Sequence, residues 1–424
     1  MEKVRHLVVG GGISGLAFAD RLADDDVLVL ERDDEIGGYC KTVRQDGFVW
    51  DYSGHFFHFR HPEIERELVE RMSDQKILVV AKDSRIWFGE TWVDFPFQKN
   101  IHQLPKDDFA ACLHDLYFKD RDHPGPAKSF LEMLYAKFGR GIAERFLVPY
   151  NEKLYATDLA RLDVHAMGRF FPYADLDDIV TNFGGGKDTS YNATFTYPEG
   201  GAIQYVHAIA SGIEASRIVT GEGVVAIDLR HKVATTTKRE IAFDTLVSAA
   251  PFPALLSLCG LPYDESVYTW NVVEVFNLGF DRKGPEGVHW AYFPQRDLSF
   301  YRVGFYDNIF GADRMSIYVE IGRPQGYRTT PAEREATLAR VLEDLRRVGL
   351  VDEHQLVSHH HILLDPAYVH ITEASQRDVT AKKRALATRG VFSIGRYGSW
   401  TYCSIEDNIV EARELADACN LAAG

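Results

Sequence analysis

Six residues near the start of the chain, Gly10-Gly11-Gly12-Ile13-Ser14-Gly15, leave little freedom in how its first domain can fold. They follow the short apolar run His6-Leu-Val-Val9, which reads as a buried parallel strand, and lead into a segment with Leu16, Ala19 and Leu22 on one helical face. A second apolar run, Val27-Leu-Val-Leu30, ends at Glu31. In this pattern Gly10 makes a tight turn, Gly12 lets the backbone approach a pyrophosphate, and Gly15 lets the helix pack close to the strand. Glu31 stands where an acid accepts hydrogen bonds from ribose hydroxyls. A glycine triplet alone is a weak signal, but strand, glycines, helix, strand and acid in this order predict a dinucleotide site.

Composition narrows the partners. At 424 residues the chain can hold two or three domains, and 46% hydrophobic with 26% charged residues is globular usage. A formal net charge of −15 leaves no basic surplus for nucleic acid or an anionic membrane. Any phosphate-bearing ligand then depends on a few locally placed arginines. Cys40, Cys112, Cys259, Cys403 and Cys419 show no C-x-x-C spacing, which argues against a disulfide framework or zinc site and for a reducing compartment. The longest apolar run, Leu246–Leu261, is interrupted by Pro251 and Pro253, too broken for a membrane span. With a first strand starting by Val4, no signal peptide is expected, and the protein reads as cytoplasmic.

Further strands of the first domain are expected at Gly223–Asp228, near the adenine end and including Val225, at Thr245–Ala250 and at Val391–Gly395. A C-terminal helix from about Asp407 to Ala418 follows, its N-terminus toward the cofactor. Between Pro105 and Gly185 the pattern turns helical, as in Phe130-Leu-x-x-Leu-Tyr135 and Ile142-Ala-x-x-Phe146-Leu147. Thr194–Pro198 and Tyr268–Ile321 read as strands, and Pro331–Val348 as a helix burying Leu338, Val341, Leu342 and Leu345. The fold class is α/β: a Rossmann-like domain from 1–90, 200–260 and 385–424, a helical lobe at 100–185, and an antiparallel sheet domain from 186–199 and 261–384.

Gly37-Gly38 and Lys41-Thr42 resemble the extended double-glycine signature of FAD-binding flavoproteins, which points to FAD rather than NAD. Later motifs resemble, in order along nearly the whole chain, the UDP-galactopyranose mutase family within the wider amine oxidase and protoporphyrinogen oxidase group. Asp51-Tyr-Ser-Gly54-His55 is similar to its flavin-side segment, and Trp92-Val-Asp-Phe-Pro-Phe97-Gln98 to its nucleotide loop. Pro149-Tyr-Asn151-Glu-Lys-Leu-Tyr155 is similar to its uridine-side motif, and Asn192-Ala-Thr-Phe to its sugar-side motif. Tyr292, Arg302, Tyr368 and Tyr402 match in type and spacing the residues that hold the substrate diphosphate, and Gly395-Arg396-Tyr397-Gly398-Ser399-Trp400 matches a segment near flavin and substrate.

The resemblance implies a mutase that interconverts pyranose and furanose forms of a nucleotide-diphosphate sugar with reduced FAD. Flavin N5 attacks the anomeric carbon, the nucleoside diphosphate leaves, the sugar ring opens and recloses as a flavin adduct, and the diphosphate returns. His55, Arg302 and Arg396 are the implied catalytic residues, and Phe97, Gln98, Asn151, Tyr155, Asn192, Tyr292, Tyr368 and Tyr402 the substrate contacts. Ile13, Ser14, Arg32, Gly38, Lys41, Gly54, Ser404 and Ile405 join Gly10, Gly12, Gly15, Glu31, His55, Val225, Gly395 and Arg396 around FAD. NAD(P)H as reductant and a homodimer are compatible with this scheme.

The sequence departs from the family pattern in places. Cys403-Ser404-Ile405-Glu406-Asp407 replaces the run after the last tyrosine, Ile309 stands at a tyrosine position, and Arg169 is the nearest match to an arginine of the helical lobe. An amine oxidase or desaturase acting on an amine or apolar substrate is the alternative reading, since it shares the FAD domain. His359-His360-His361 suggests no metal, because neighbouring strand residues point to opposite faces and no partner ligand is evident.

Overall fold

The apolar runs at the N-terminus pair as parallel strands. In the computed structural model, which describes residues 1–123, 125–184 and 194–423, Glu2–Val9 lies between Val27–Leu30 and Glu240–Ser248, with His6 opposite both Val27 and Thr245. Ile218–Val219 extends the sheet in parallel beyond Val27–Leu30, and Val391–Ser393 pairs in parallel with Glu240–Ser248. An antiparallel ribbon, Val224–Asp228 and Val233–Thr236, continues the other edge. The helices Ile13–Arg21 and Ile405–Ala423 cover one face, burying Leu16, Phe18, Ile409, Ala412 and Ala416. The C-terminal helix thus starts two residues before the expected Asp407.

A second sheet runs in the order Leu356–Leu364, Asn271–Phe280, Ser316–Pro324, Arg302–Phe305, Trp290–Tyr292, Ser84–Phe88, Thr91–Asp94. It is antiparallel except where Trp290–Tyr292 runs parallel to Ser84–Phe88. The hairpin at 84–94 reaches this sheet by a long connection rather than a tight turn, so nothing forces antiparallel pairing there. The sequence pattern, reading sheet strands only from 186 onward, gave no sign that this hairpin belongs here. The helix Pro331–Arg347 packs Leu338, Val341 and Leu345 against Phe276, Leu278, Val319 and Ile321. Thr330 and Glu333 form its capping box and Pro331 opens its first turn, which fixes where it begins.

The helical lobe comprises Lys106–Asp122, Phe130–Ile142, Val148–Tyr155 and Leu176–Asn182. Gly139, at φ 71°, breaks the second helix. A Cβ there would lie 2.3 Å from the Asp115 carbonyl oxygen, so only glycine lets these two helices approach this closely. A π-helical turn at Ala143–Leu147 follows and brings Phe146 and Leu147 to the wall of the cavity described next. Among the described residues no helix is long and apolar enough to cross a membrane, and none of their His, Cys, Asp and Glu side chains cluster in threes suited to a metal. His361 instead bonds Glu274 at 2.9 Å.

Candidate active site

One continuous cavity of about 980 Å³ runs from the glycine turn, past Gly54 and His55, to the face of the second sheet. Its cofactor end is shaped by missing side chains. Gly10 has φ 107°, and a Cβ on Gly15 would lie 2.1 Å from the Gly10 carbonyl oxygen. Gly12 and Gly38 face each other, each Cβ position within 4 Å of the other's Cα, so side chains there would fill the groove. Gly12 also leaves the N-terminus of the helix Ile13–Arg21 without a side-chain cap, and its free N–H groups are suited to a pyrophosphate. Glu31 is 8% exposed and on the cavity, accepting from the backbone N–H of Gly11 at 2.8 Å and Asp33 at 3.0 Å. These features fit FAD.

Ile13, Ser14, Arg32, Gly54, His55, Gly395, Arg396, Ser404 and Ile405 also line the cavity. Ser404 caps the C-terminal helix, its hydroxyl accepting from the Asp407 N–H at 3.1 Å. Three expected cofactor residues lie off the surface of the cavity. Lys41 is buried and bonds Asp33 at 2.7 Å. Gly15 acts through packing. Val225 is 53% exposed, because strand alternation turns its neighbour Val224 inward instead.

At the flavin-side segment, a Cβ on Gly54 would lie 2.1 Å from Tyr318 Oη, so no other residue fits. His55 Nδ1 lies 3.0 Å from the Ser53 carbonyl, which accepts a hydrogen bond from Nδ1–H and leaves Nε2 as an acceptor. Burial pulls the His55 imidazole down to about 4, so it is neutral at ordinary pH.

The polar end is built by register. Tyr292 pairs with Arg302 and Arg302 with Glu320 on adjacent antiparallel strands, so the three side chains form one transverse row on the same face. Arg302 donates to Glu320 from Nε at 2.7 Å and from Nη2 at 2.8 Å, and the Ser53 hydroxyl also donates to Glu320. Burial opposes charge on Glu320, but the Arg302 guanidinium outweighs it and holds the carboxyl below its usual range. The row above carries Trp290, whose Nε1 donates to Tyr318 Oη at 2.5 Å across Gly304, where a Cβ would strike the Tyr318 ring.

Arg396 also lines the cavity, from the short helical turn Gly395–Gly398 that follows the last parallel strand. Tyr368 and Tyr402 stack at 5.7 Å, and the Arg396 guanidinium lies 5.1 and 4.6 Å from their ring centres. Its Nη1 donates to the Cys403 carbonyl at 3.3 Å, while its Nε is buried without a partner. Asn151 also reaches the cavity with an unpartnered Oδ1, its Nδ2 donating to Leu147 O at 2.7 Å. Burial pushes the phenols of Tyr292 and Tyr402 up to about 12, so both remain protonated donors.

Three other expected substrate residues stand behind the wall. Phe97 is fully buried and stacks on Phe146 at 5.1 Å; Phe95, two residues earlier, reaches the cavity and stacks on Tyr292 at 5.0 Å. Gln98 is fully buried and donates to the Pro172 carbonyl. Tyr155 is 1% exposed and supports Tyr368 edge-on at 6.0 Å. Asn192 lies outside the described residues. Arg169 bonds Asp407 at 2.6 and 2.7 Å, tying the helical lobe to the C-terminal helix. Glu320 went unnoticed in the sequence although Ser316-Ile-Tyr-Val-Glu320-Ile321 offers a signal, since an acid inside a buried strand requires a cation nearby.

The sequence profile of flavin containing amine oxidoreductases matches residues 13–420. Among curated proteins, protoporphyrinogen oxidase 1, chloroplastic, of Arabidopsis thaliana is 26% identical over 175 residues, covering 38% of this chain and 32% of that protein. All-trans-retinol 13,14-reductase of Danio rerio is 46% identical over 201 residues, covering 44% and 31%. The chain thus spans about a third of the length of these relatives. Among solved structures, reduced UDP-galactopyranose mutase is 24% identical with a TM-score of 0.89, covering 99% of this chain and 96% of that one. A putative protoporphyrinogen oxidase from Exiguobacterium sp. 255-15 is 17% identical with a TM-score of 0.75, covering 99% of both. At these identities the structural likeness shows the fold.

Proposed function

The chain belongs to the flavin containing amine oxidoreductase family and takes FAD, and on that premise we propose that it is a flavin-dependent mutase interconverting pyranose and furanose forms of a nucleotide-diphosphate sugar. The observation that carries this reading is the convergence of Arg302 and Arg396, with Tyr292, Tyr368 and Tyr402, on the cavity that continues the FAD groove. Two guanidiniums and three phenol donors suit a dianionic diphosphate.

Reduced FAD, when bound, supplies the nucleophile for the anomeric carbon. The protein's part is to hold the leaving group. Arg302, fixed by Glu320, presents its remaining N–H donors in one orientation, and Arg396 approaches from the tyrosine pair. Charge that builds on the diphosphate as the glycosidic bond breaks then meets donors already in place. The same contacts keep the diphosphate beside the sugar for recapture. His55, neutral, offers Nε2 as an acceptor at the flavin side.

The alternative, an oxidoreductase acting on an amine or apolar substrate, draws on the family and on the apolar wall of Phe146, Leu147, Leu154, Met167 and Phe171. Titrating the FAD-loaded protein with UDP while recording the flavin spectrum separates the two. The mutase reading expects a perturbed spectrum and no oxygen uptake with amines or polyenes. Oxygen uptake with no response to UDP would reverse the assignment.

A further inference from the structure

We propose that Lys153 is a positioning residue for the diphosphate end of the cavity, fastening the loop between the strands that carry Tyr292 and Arg302 and so setting the spacing of that pair. Lys153 belongs to the helix Val148–Tyr155. Its ammonium donates to the carbonyls of Phe293 at 3.0 Å, Gln295 at 2.8 Å and, closer still, Phe300. All three lie in the segment that leaves Tyr292 and returns to Arg302. An ammonium has three protons, and each is used to close this loop on itself.

The same helix contributes to the cavity wall. Tyr150, Asn151 and Leu154 line the cavity, and a Cβ on Gly322 would lie 1.8 Å from the Lys153 carbonyl oxygen, so the helix rests directly on the strand that carries Glu320. Lys153 therefore joins the helix bearing Asn151, the strand bearing Glu320 and the loop that connects the strands of Tyr292 and Arg302. The charged groups around it are engaged elsewhere on this loop. Asp344 accepts from the Ser299 N–H at 2.8 Å, Asp297 pairs with Arg347, and Glu152 pairs with Arg296. Burying an ammonium against carbonyls rather than a carboxylate is costly, and burial pulls Lys153 down to about 7. A neutral amine keeps only two protons, leaving one carbonyl without a donor, so the loop should loosen as pH rises through neutrality.

The inference rests on the reading of Tyr292 and Arg302 as a diphosphate clamp. Its test uses the full-length FAD-loaded protein, with UDP-glucose as the calorimetric probe and hydrogen exchange at residues 293–301 as a second readout. In Lys153→Gln the affinity should fall by about tenfold, the worth of one charged hydrogen bond, with flavin occupancy unchanged. Wild-type affinity should weaken more steeply between roughly pH 6.5 and 8.5 than that of the variant, which lacks the Lys153 contribution. Other groups that titrate there, such as Asp51, are common to both proteins, so the comparison isolates Lys153. In an Arg302→Ala background Lys153→Gln should add little, because the residue acts through the clamp. Unchanged affinity and pH profile in Lys153→Gln, or full additivity with Arg302→Ala, would overturn the proposal. If the wild type binds no UDP-glucose, the clamp reading fails on its own, and exchange at 293–301 decides for Lys153: it must quicken in the variant. Should Lys153→Gln not fold, the wild type decides, since exchange at 293–301 that does not quicken with pH contradicts the inference.

Discussion

Arg302 and Glu320, on neighbouring strands, share two hydrogen bonds of 2.7 and 2.8 Å, with Glu320 only 1% exposed. The guanidinium that lines the cavity is thereby oriented by a buried carboxylate that, among the described residues, pairs with no other cation. Sequence position alone suggests that Arg302 could be removed with little effect on stability. The pairing says otherwise.

Arg302→Ala should lose roughly one to two decades of nucleoside-diphosphate affinity, as expected for a charged hydrogen bond of about 1.5–3 kcal/mol. It should also destabilise the fold by about 3–5 kcal/mol, because Glu320 is left buried and unpaired. Thermal unfolding and UDP calorimetry on the same samples check both. Adding Glu320→Gln should recover much of the stability and none of the affinity; recovery of neither would mean that Arg302 has a different structural role.

FAD should be held noncovalently and depend on the closeness of Gly15 to Gly10. Denaturing the wild type should release free flavin. Gly15→Ala places a methyl 2.1 Å from the Gly10 carbonyl oxygen and should leave most of the purified protein colourless. The ratio of flavin to protein absorbance measures this, and full occupancy in the variant would refute the turn's role.

Stability should fall in mild acid because of His55 and His58, which burial holds down to about 4 in the folded protein. Both are neutral when folded but take protons near 6.5 when unfolded, so their contribution is complete above that value and is lost as pH falls toward 4. The shifts correspond to at most about 3 kcal/mol each. Asp51, pushed up to about 7 by burial, works in the opposite sense between its unfolded value and 7, but identically in a comparison with the variant. His55→Gln with His58→Gln should therefore show a shallower decline in Tm between about pH 6.5 and 4.5; an equal slope would contradict the assignment.

Much of the cofactor domain was legible because its signals are local. Gly10, Gly15 and Glu31 sit at spacings imposed by one strand, one turn and one helix, and the structure places them accordingly. The spacing of Leu338, Val341 and Leu345 likewise marked the helix Pro331–Arg347. The polar end of the cavity was less legible because it is made by register between distant strands. Nothing within Ser316–Pro324 names Arg302 as the partner of Glu320; that depends on which strands become neighbours. Small offsets mattered for the same reason. One residue separates inward Val224 from outward Val225, and two separate Phe95 on the cavity from Phe97 behind it. The hairpin at 84–94 joined the second sheet through a parallel pairing that no local pattern encodes.

The central claim concerns turnover, and one measurement addresses it directly. Dithionite-reduced, FAD-loaded protein is incubated without oxygen with UDP-, GDP- and TDP-hexoses, and pyranose and furanose products are separated by chromatography. The account predicts furanose from at least one of these substrates, no net consumption of reductant over many turnovers, and no product from the oxidised protein. Absence of ring interconversion with every substrate, or product formation by the oxidised protein in air with release of peroxide, would contradict it.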